Sequence, residues 1–88
     1  MSDAEKLPII KMIICRYQKS PGAIPQSRTL FVTEETPTFY KGVDPDKKGW
    51  RTLSKDKLVY DPLVYDLSFL SNPITAWDAM RMNNHPLL

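Results

Sequence analysis

Residues 8–19, PIIKMIICRYQK, decide the fold, because they predict a β-strand that is covered on both sides. Alternate residues of a strand share a face, and the two sets here are Ile9, Lys11, Ile13, Cys15 and Tyr17, and Ile10, Met12, Ile14 and Arg16. Because both faces are mainly apolar, the strand is expected to lie inside a sheet, with a helix covering one face. Lys11 and Arg16 are then expected to extend towards an edge.

Three further runs predict short strands, because they are rich in β-branched and aromatic residues. The runs are RTLFVTE (28–34), TFYKGV (38–43) and WRTLS (50–54). The prolines and glycine of SPGAIPQS (20–27) predict a stiff loop. DPDKKG (44–49) predicts a turn in which Pro45 fixes one dihedral angle and Gly49 relaxes another. The centre of the chain is therefore predicted to be a meander of short strands.

The sequence LVYD occurs twice, at 58–61 and 63–66, with Pro62 between the copies. Tyr60 and Tyr65 are five residues apart, which places them on opposite faces of a strand or about 140° apart on a helix. The repeat therefore does not predict a duplicated binding face. Alternation after Pro62 favours a strand within residues 62–70, and a helix that begins at Pro62 is the alternative.

The segment SNPITAWDAMRMNNHP (71–86) predicts a C-terminal helix. Asn72 is expected to cap it, Pro73 to take its first position and Pro86 to end it. The residues expected to form its apolar stripe are Ile74, Ala76, Trp77 and Met80. The predicted fold class is α+β: a small antiparallel sheet or partly open barrel of four to five short strands, with this helix packed on it.

Length and composition predict one domain over residues 1–88, with 1–7 and 85–88 expected to be flexible. A net charge of +2 with 42% hydrophobic residues is ordinary for a globular chain. The longest apolar run, residues 9–15, is far shorter than the ~20 residues that cross a bilayer. With one cysteine, Cys15, and no secretory signal, the chain is expected to be cytoplasmic and to have no membrane partner.

Charge is unevenly distributed along the chain. Residues 41–57 carry six basic and three acidic side chains, whereas residues 58–88 carry only Arg81 against three aspartates. Such an asymmetry can steer a partner, although it is too small to indicate polyanion binding by itself.

No residue pattern predicts catalysis, a metal or a cofactor, and the chain is not expected to be an enzyme. In DPDKKG, Asp44 and Asp46 match the first acidic positions of a calcium loop, but lysines replace two later ligands. Cys15 lies in apolar company, where a thiol is usually inert. The single histidine, His85, is close to the end of the chain, so a Cys15–His85 pair would need an unforeseen contact.

The favoured hypothesis is a non-enzymatic protein-interaction module, such as an accessory subunit or a small inhibitor or modulator of a larger complex. The strand–turn–strand middle resembles that of many small accessory proteins, phage-encoded ones among them. Exposed aromatics and an arginine are the expected anchors, namely Tyr40, Trp50, Arg51, Tyr60 and Tyr65. Homo-oligomers are compatible with this hypothesis.

The second hypothesis is a small β-barrel that binds single-stranded nucleic acid. Rings stack on bases while cations follow the phosphates, and the residues predicted for this are Tyr17, Tyr40, Lys41, Lys48, Trp50 and Arg51. Lys19, Arg28 and Lys47 are close to these residues in sequence. The competing explanation is that the aromatics form the core and the cations are solvated strand neighbours.

Overall fold

A computed structural model describes residues 3–81, which form a five-stranded antiparallel sheet and one short helix. The elements are β1 (Lys11–Tyr17), β2 (Gln26–Glu35), β3 (Phe39–Asp44), β4 (Gly49–Ser54), β5 (Leu63–Asp66) and α1 (Ala76–Arg81). The strand order is β4-β3-β2-β1-β5, and the sheet is open. The predicted α+β class is confirmed, and so is the preference for a strand after Pro62.

Two short 3-10 turns, Ala4–Lys6 and Lys55–Lys57, complete the regular structure of the described residues. Within residues 3–81 there is no helix long and apolar enough to cross a membrane. The expected flexibility of residues 1–7 stays a prediction, and residues 85–88 lie outside the described part of the chain.

Strand β1 organises the core because it pairs with β2 on one side and with β5 on the other. On the face that carries α1, the helix face, the buried residues are Ile9, Met12, Phe31, Val43, Leu67, Ala76 and Ala79. On the opposite face they are Ile13, Cys15, Leu30, Val32, Tyr40 and Leu53. The prediction of a strand with two apolar faces is confirmed.

The second face is covered by the connection between β4 and β5, and we call it the crossover face. Thr38 accepts a hydrogen bond from the Lys55 N–H at 2.9 Å, and Lys57 accepts one from the Gln18 N–H at 2.9 Å. The chain thus crosses from the start of β3 to the end of β1 within a few residues. Leu58, which ends the crossing, packs against the buried cluster of this face.

The faces predicted for Ile9 and Ile10 are wrong, because strict alternation begins only at Lys11. Ile9 belongs to the helix-face cluster and Ile10 packs against the crossover-face cluster. The Ile10 N–H donates to Val32 while the Ile10 carbonyl accepts from Leu67, so its two backbone groups point to opposite neighbours. That arrangement departs from a regular strand, in which both groups of a residue point the same way.

The DPDKKG turn forms as predicted, but its strained residue is Lys48 and not Gly49. Lys48 has φ 57°, whereas Gly49 is the first residue of β4. The buried Asp44 carboxylate accepts hydrogen bonds from the N–H groups of Asp46 and Lys47, at 2.9 and 3.3 Å, and fixes the turn. It also forms a salt bridge of 2.8 Å with Arg51. The Asp44 oxygens are therefore engaged within the hairpin.

The predicted start of the helix is wrong: α1 begins at Ala76, and Asn72 and Pro73 precede it. Thr75 and Asp78 form a reciprocal capping box, in which Thr75 Oγ1 accepts from the Asp78 N–H at 3.2 Å. Asp78 Oδ2 in turn accepts from the Thr75 N–H at 3.1 Å. Pro86, the predicted stop, lies outside the described residues.

The predicted apolar stripe of α1 is correct only in part. Ala76 and Ala79 are buried, and Ile74 and Met80 pack beside them. Trp77 is exposed, with the Arg81 guanidinium 5.4 Å from its ring centroid. Small alanine side chains let the helix approach the sheet closely, so the large indole is left on the outside.

Gly42 permits a close approach of the β2 and β3 backbones, next to an irregularity in their pairing between Val32 and Glu34. A Cβ atom at Gly42 would lie 1.9 Å from the Phe31 carbonyl oxygen and 2.8 Å from the Val32 Cα. Both are backbone atoms of a buried strand, so they cannot move aside cheaply. The glycine is required here for space, with no demand on its dihedral angles.

We expect Gly42→Ala to lower the free energy of unfolding by roughly 3 kcal/mol, because the new methyl group overpacks a buried backbone. Denaturant unfolding measures the loss. Gly49→Ala is the matched control, since the nearest atoms to a Cβ there are flexible lysine side-chain atoms at 3.9 Å. Equal stability losses in the two variants would contradict the close approach at Gly42.

Glu35, the last residue of β2, links β1 to the Lys55–Lys57 turn through two salt bridges. Its carboxylate oxygens lie 2.6 Å from Lys11 Nζ and 2.6 Å from Lys55 Nζ. Lys55 Nζ also sits 4.7 Å from the centroid of the Tyr40 ring. Hydrogen bonds from the two ammonium groups lower the pKa of Glu35, and the bond from Lys11 has the larger effect. The same bond raises the pKa of Lys11.

Because its folded pKa is lowered, Glu35 stabilises the fold at pH values above its unfolded pKa. That stabilisation is lost as the pH falls through the folded pKa. We expect Glu35→Gln to cost about 0.5–1 kcal/mol near pH 7, since both pairs are partly exposed. The difference between wild type and variant should disappear in strongly acidic buffer. A difference that stays constant from pH 7 to pH 2 would contradict this role.

Candidate functional site

Both copies of the LVYD repeat lie along the outer edge of β1. The second copy is β5, and the first begins with a bridge between Leu58 and Tyr17. Leu58 lies opposite Tyr17 and Leu63 lies opposite Ile14. Five residue steps along the outer segment therefore match only three steps along β1. The surplus residues, centred on Pro62, form a bulge. A proline is tolerated there because an edge-strand bulge needs no N–H for the ladder.

The two copies face opposite sides of the sheet, as their spacing predicts. Leu58 packs on the crossover face, whereas its counterpart Leu63 lies opposite Ile14, a helix-face residue. The repeat is therefore not a duplicated binding face.

The β5 segment carries a group of exposed large apolar side chains that we call the β5 edge surface. Its members are Val59, Tyr60, Leu63, Val64, Tyr65 and Phe69. Tyr60 is 68% exposed, Leu63 62% and Phe69 77%. All four residues of β5 are exposed, so this strand is bare on both faces. Contiguous exposed apolar surface is unusual on a monomeric protein and commonly marks an interaction site.

Among residues 3–81, no strand pairs with the outer side of the β5 backbone. The Leu67 N–H donates to Ile10 of the β1 side at 2.9 Å. Backbone groups alternate in direction along a strand, so Leu63 and Tyr65 also face β1. Val64 and Asp66 consequently point their N–H and carbonyl groups away from the sheet. β5 thus presents an unpaired ladder edge beside its apolar side chains.

The five predicted protein-binding residues do not form one surface. Tyr60 and Tyr65 belong to the β5 edge surface, but Trp50 and Arg51 lie on β4 at the opposite edge. The two edges are four strand spacings apart, roughly 19 Å along the sheet. Arg51 is engaged with Asp44, and Trp50 packs against the helix-face core.

Tyr40 was expected to be an exposed aromatic, and that expectation is wrong. Its side chain is 8% exposed because it belongs to the crossover-face cluster and lies under Lys55. Its outer rim does reach a groove of about 300 Å³ whose other wall is residues 58–62. Tyr40 and Tyr60 are thereby brought to one groove, although only Tyr60 is available as an anchor.

The residues predicted to bind single strands are divided between the two faces. Lys41 and Trp50 lie on the helix face, with Lys41 Nζ 6.0 Å from the indole centroid, and Lys48 is in the hairpin turn. Tyr17 and Arg51, in contrast, line one groove on the crossover face. The six residues predicted from the sequence therefore do not form one nucleic-acid-binding surface, but Tyr17 and Arg51 do lie together.

Sequence reasoning missed several residues that the structure brings forward. On the β5 edge surface these are Leu63, Val64 and Phe69. The groove of Tyr17 adds Lys19 and Arg28, which the sequence had indicated only as neighbours of the predicted residues. The alternation after Pro62 showed apolar residues on both faces of a short strand. Such a pattern occurs in buried interior strands and in exposed edge strands. Only the position of the strand in the sheet decides between these two outcomes.

Cys15 is the sole cysteine, and it is buried in the crossover-face cluster. Burial raises the pKa of its thiol, and the nearby Arg28 charge opposes this effect. His85, its hypothetical partner, lies outside the described residues. Among residues 3–81 there is also no group of three or more His, Cys, Asp or Glu side chains that could hold a metal ion.

We expect native Cys15 to react with a disulfide reagent at least about tenfold more slowly than the same residue in denaturant, because burial disfavours the thiolate. The rate is measured by the absorbance of the released thiolate at constant pH. Cys15→Ala supplies the background rate. Equal rates in the native and denatured chains would mean that the thiol is accessible and activated.

Compared with known proteins, the chain matches no family model, no curated protein and no solved structure.

Proposed function

We propose that this protein is a non-enzymatic interaction module that binds a protein partner through the β5 edge surface. It would act as an accessory subunit or as a small inhibitor or modulator of a larger complex. Because its one cysteine is an unpaired thiol, we place it in a reducing, cytosol-like compartment.

The observation that supports this proposal most directly is the state of β5. Edge strands of independent proteins are usually protected by charges, prolines or covering loops. Here Pro62 precedes the strand and Asp66 is its last residue, yet Leu63, Val64 and Tyr65 between them are all exposed. An apolar edge strand with no partner strand among the described residues is better suited to regulated pairing with one partner protein than to exposure to solvent.

Strand addition is the binding mode that uses both features of this edge. An extended segment of the partner would pair with the outward backbone groups of Val64 and Asp66. Its side chains would cover Leu63 and Tyr65 on the helix face and Val64 on the crossover face. Tyr60 and Phe69, at the two ends, would act as anchors, because exposed aromatics contribute much of the energy of such contacts.

The charge of the surface indicates the partner's chemistry. Residues 58–73 contain Asp61 and Asp66 and no basic residue, and both aspartates are exposed. The partner segment is therefore expected to alternate apolar residues with at least one lysine or arginine.

Val64→Pro tests this mode, because it removes an outward N–H and leaves the hydrogen bonds to β1 in place. We expect recovery of the partner from nuclease-treated lysate of the source cells to fall at least about tenfold, equivalent to ~1.4 kcal/mol. Quantitative mass spectrometry measures the recovery. Leu63→Glu and Phe69→Ser should act in the same direction.

Leu7→Ser is the matched control, since Leu7 is an exposed apolar side chain outside the β5 edge surface. Thermal unfolding shows whether each variant retains the fold. Full recovery with Val64→Pro, or equal losses with Leu7→Ser, would contradict the proposal. Sedimentation of the wild type shows whether a second copy of the chain is the occupant instead.

A further inference from the structure

We propose that the crossover face holds a second site, which binds a nucleoside phosphate unit in a groove between Tyr17 and Arg51. The groove has a volume of about 420 Å³, and its walls include Tyr17, Lys19, Ile24, Gln26, Arg28 and Arg51. It is separate from the β5 edge surface, and neither proposal depends on the other. The unit is supplied by a free nucleotide or by a single-stranded nucleic acid.

The groove is assembled by three strands and one loop. Gln26 pairs with Tyr17 and Arg28 with Cys15, so these side chains share the crossover face. Arg51 reaches the same face from β4, where it lies opposite Gly42. A volume of this size lies within the range of small-molecule sites.

The electrostatic character of the groove is basic. Lys19, Arg28 and Arg51 line it, and its lining contains no carboxylate. Asp44 neutralises part of the Arg51 charge through a contact of 2.8 Å. Within residues 3–81, no carboxylate lies within salt-bridge distance of Lys19 or Arg28. Two of the three cations are therefore available to an anion.

Arg28 carries an unmet hydrogen-bonding requirement in the wall of this groove. Its Nη2 donates to Gln26 Oε1 at 2.5 Å and its Nη1 to the Ser27 carbonyl at 3.3 Å. Its Nε is buried and has no partner, the one such side-chain atom in the described part of the chain. A buried donor without an acceptor is costly. A phosphate oxygen would satisfy it once the Arg28 side chain turns its Nε into the groove.

A nucleotide fits this groove better than an acidic peptide does, because the cations occur beside an aromatic ring and an aliphatic wall. Tyr17 offers a face on which a base can stack, and the exposed Ile24 can cover the base from the loop side. Stacking on an aromatic side chain contributes about 1–3 kcal/mol per base. A carboxylate chain would use the charges and gain nothing from Tyr17.

Fluorescence anisotropy with a labelled deoxythymidine strand of about 12 nucleotides tests the site on the full chain. Contacts with the two available cations, Lys19 and Arg28, predict that affinity falls roughly sevenfold between 50 and 200 mM salt, from a slope of about −0.7 per phosphate on a single strand. Unlabelled thymidine monophosphate, added as a competitor, separates the two sources. Displacement at similar nucleotide concentration indicates a single-nucleotide site, and much weaker displacement indicates a strand.

Lys19→Glu is the decisive variant, since Lys19 is an exposed loop residue whose replacement should not disturb the core. We expect it to weaken binding at least about tenfold. Lys6→Glu makes the same change in net charge at an exposed position outside the groove and should weaken binding less than about threefold.

Tyr17→Leu should also weaken binding, whereas Tyr17→Phe should retain it. Arg28→Lys should weaken binding while keeping the charge, because it removes the fork of donors.

Three results would overturn the site. One is the absence of any binding at low salt to either the strand or the mononucleotide. Another is equal weakening by Lys19→Glu and Lys6→Glu, which would mean attraction by net charge alone. The third is equal displacement by polyglutamate of the same charge, which would assign the groove to acidic peptides.

Discussion

The structure depends on one constraint: β1 is apolar on both faces and must be covered on both. Burying two faces of a strand requires a partner strand on each side and a layer above and below the sheet. In a chain of 88 residues one helix and one crossing segment supply those layers. Leu58 and the Lys55–Lys57 turn cover the second face, and α1 covers the first.

The same constraint explains why the other large side chains are unevenly used. Two separate clusters absorb Met12 and Phe31 on one face and Leu30 and Tyr40 on the other. α1 packs mainly over β2 and β3, and the edge strand β5 lies beyond it. β5 therefore adds its backbone to β1 and leaves its side chains in solvent. The β5 edge surface is thus a consequence of strand order in a small sheet.

The crossing segment also separates two surfaces of different chemistry. At the outer edge of β1 lie exposed apolar residues, with Asp61 and Asp66 beside them in the sequence. At the far end of the crossover face, Lys19, Arg28 and Arg51 gather beside Tyr17. A partner that docks on the edge and a phosphate that enters the groove would not compete for the same residues. The two proposals can therefore be tested independently with variants of one chain.

The sequence by itself determined the strand-rich centre, the β-turn at 44–49, the presence of a C-terminal helix and the strand character after Pro62. Those features are local, because alternation, turn residues and helix periodicity act over a few residues. Local signals were also misleading: the helix starts at the reciprocal hydrogen-bonded cap of Thr75 and Asp78, and not at Asn72 and Pro73.

Only the tertiary structure decided which aromatics were buried. Tyr40 and Tyr60 have the same side chain, yet Tyr40 lies on an interior strand of the sheet and Tyr60 on the bulge at its edge. Burial depends on the order of strands in space, and that order is set by contacts between residues far apart in the chain.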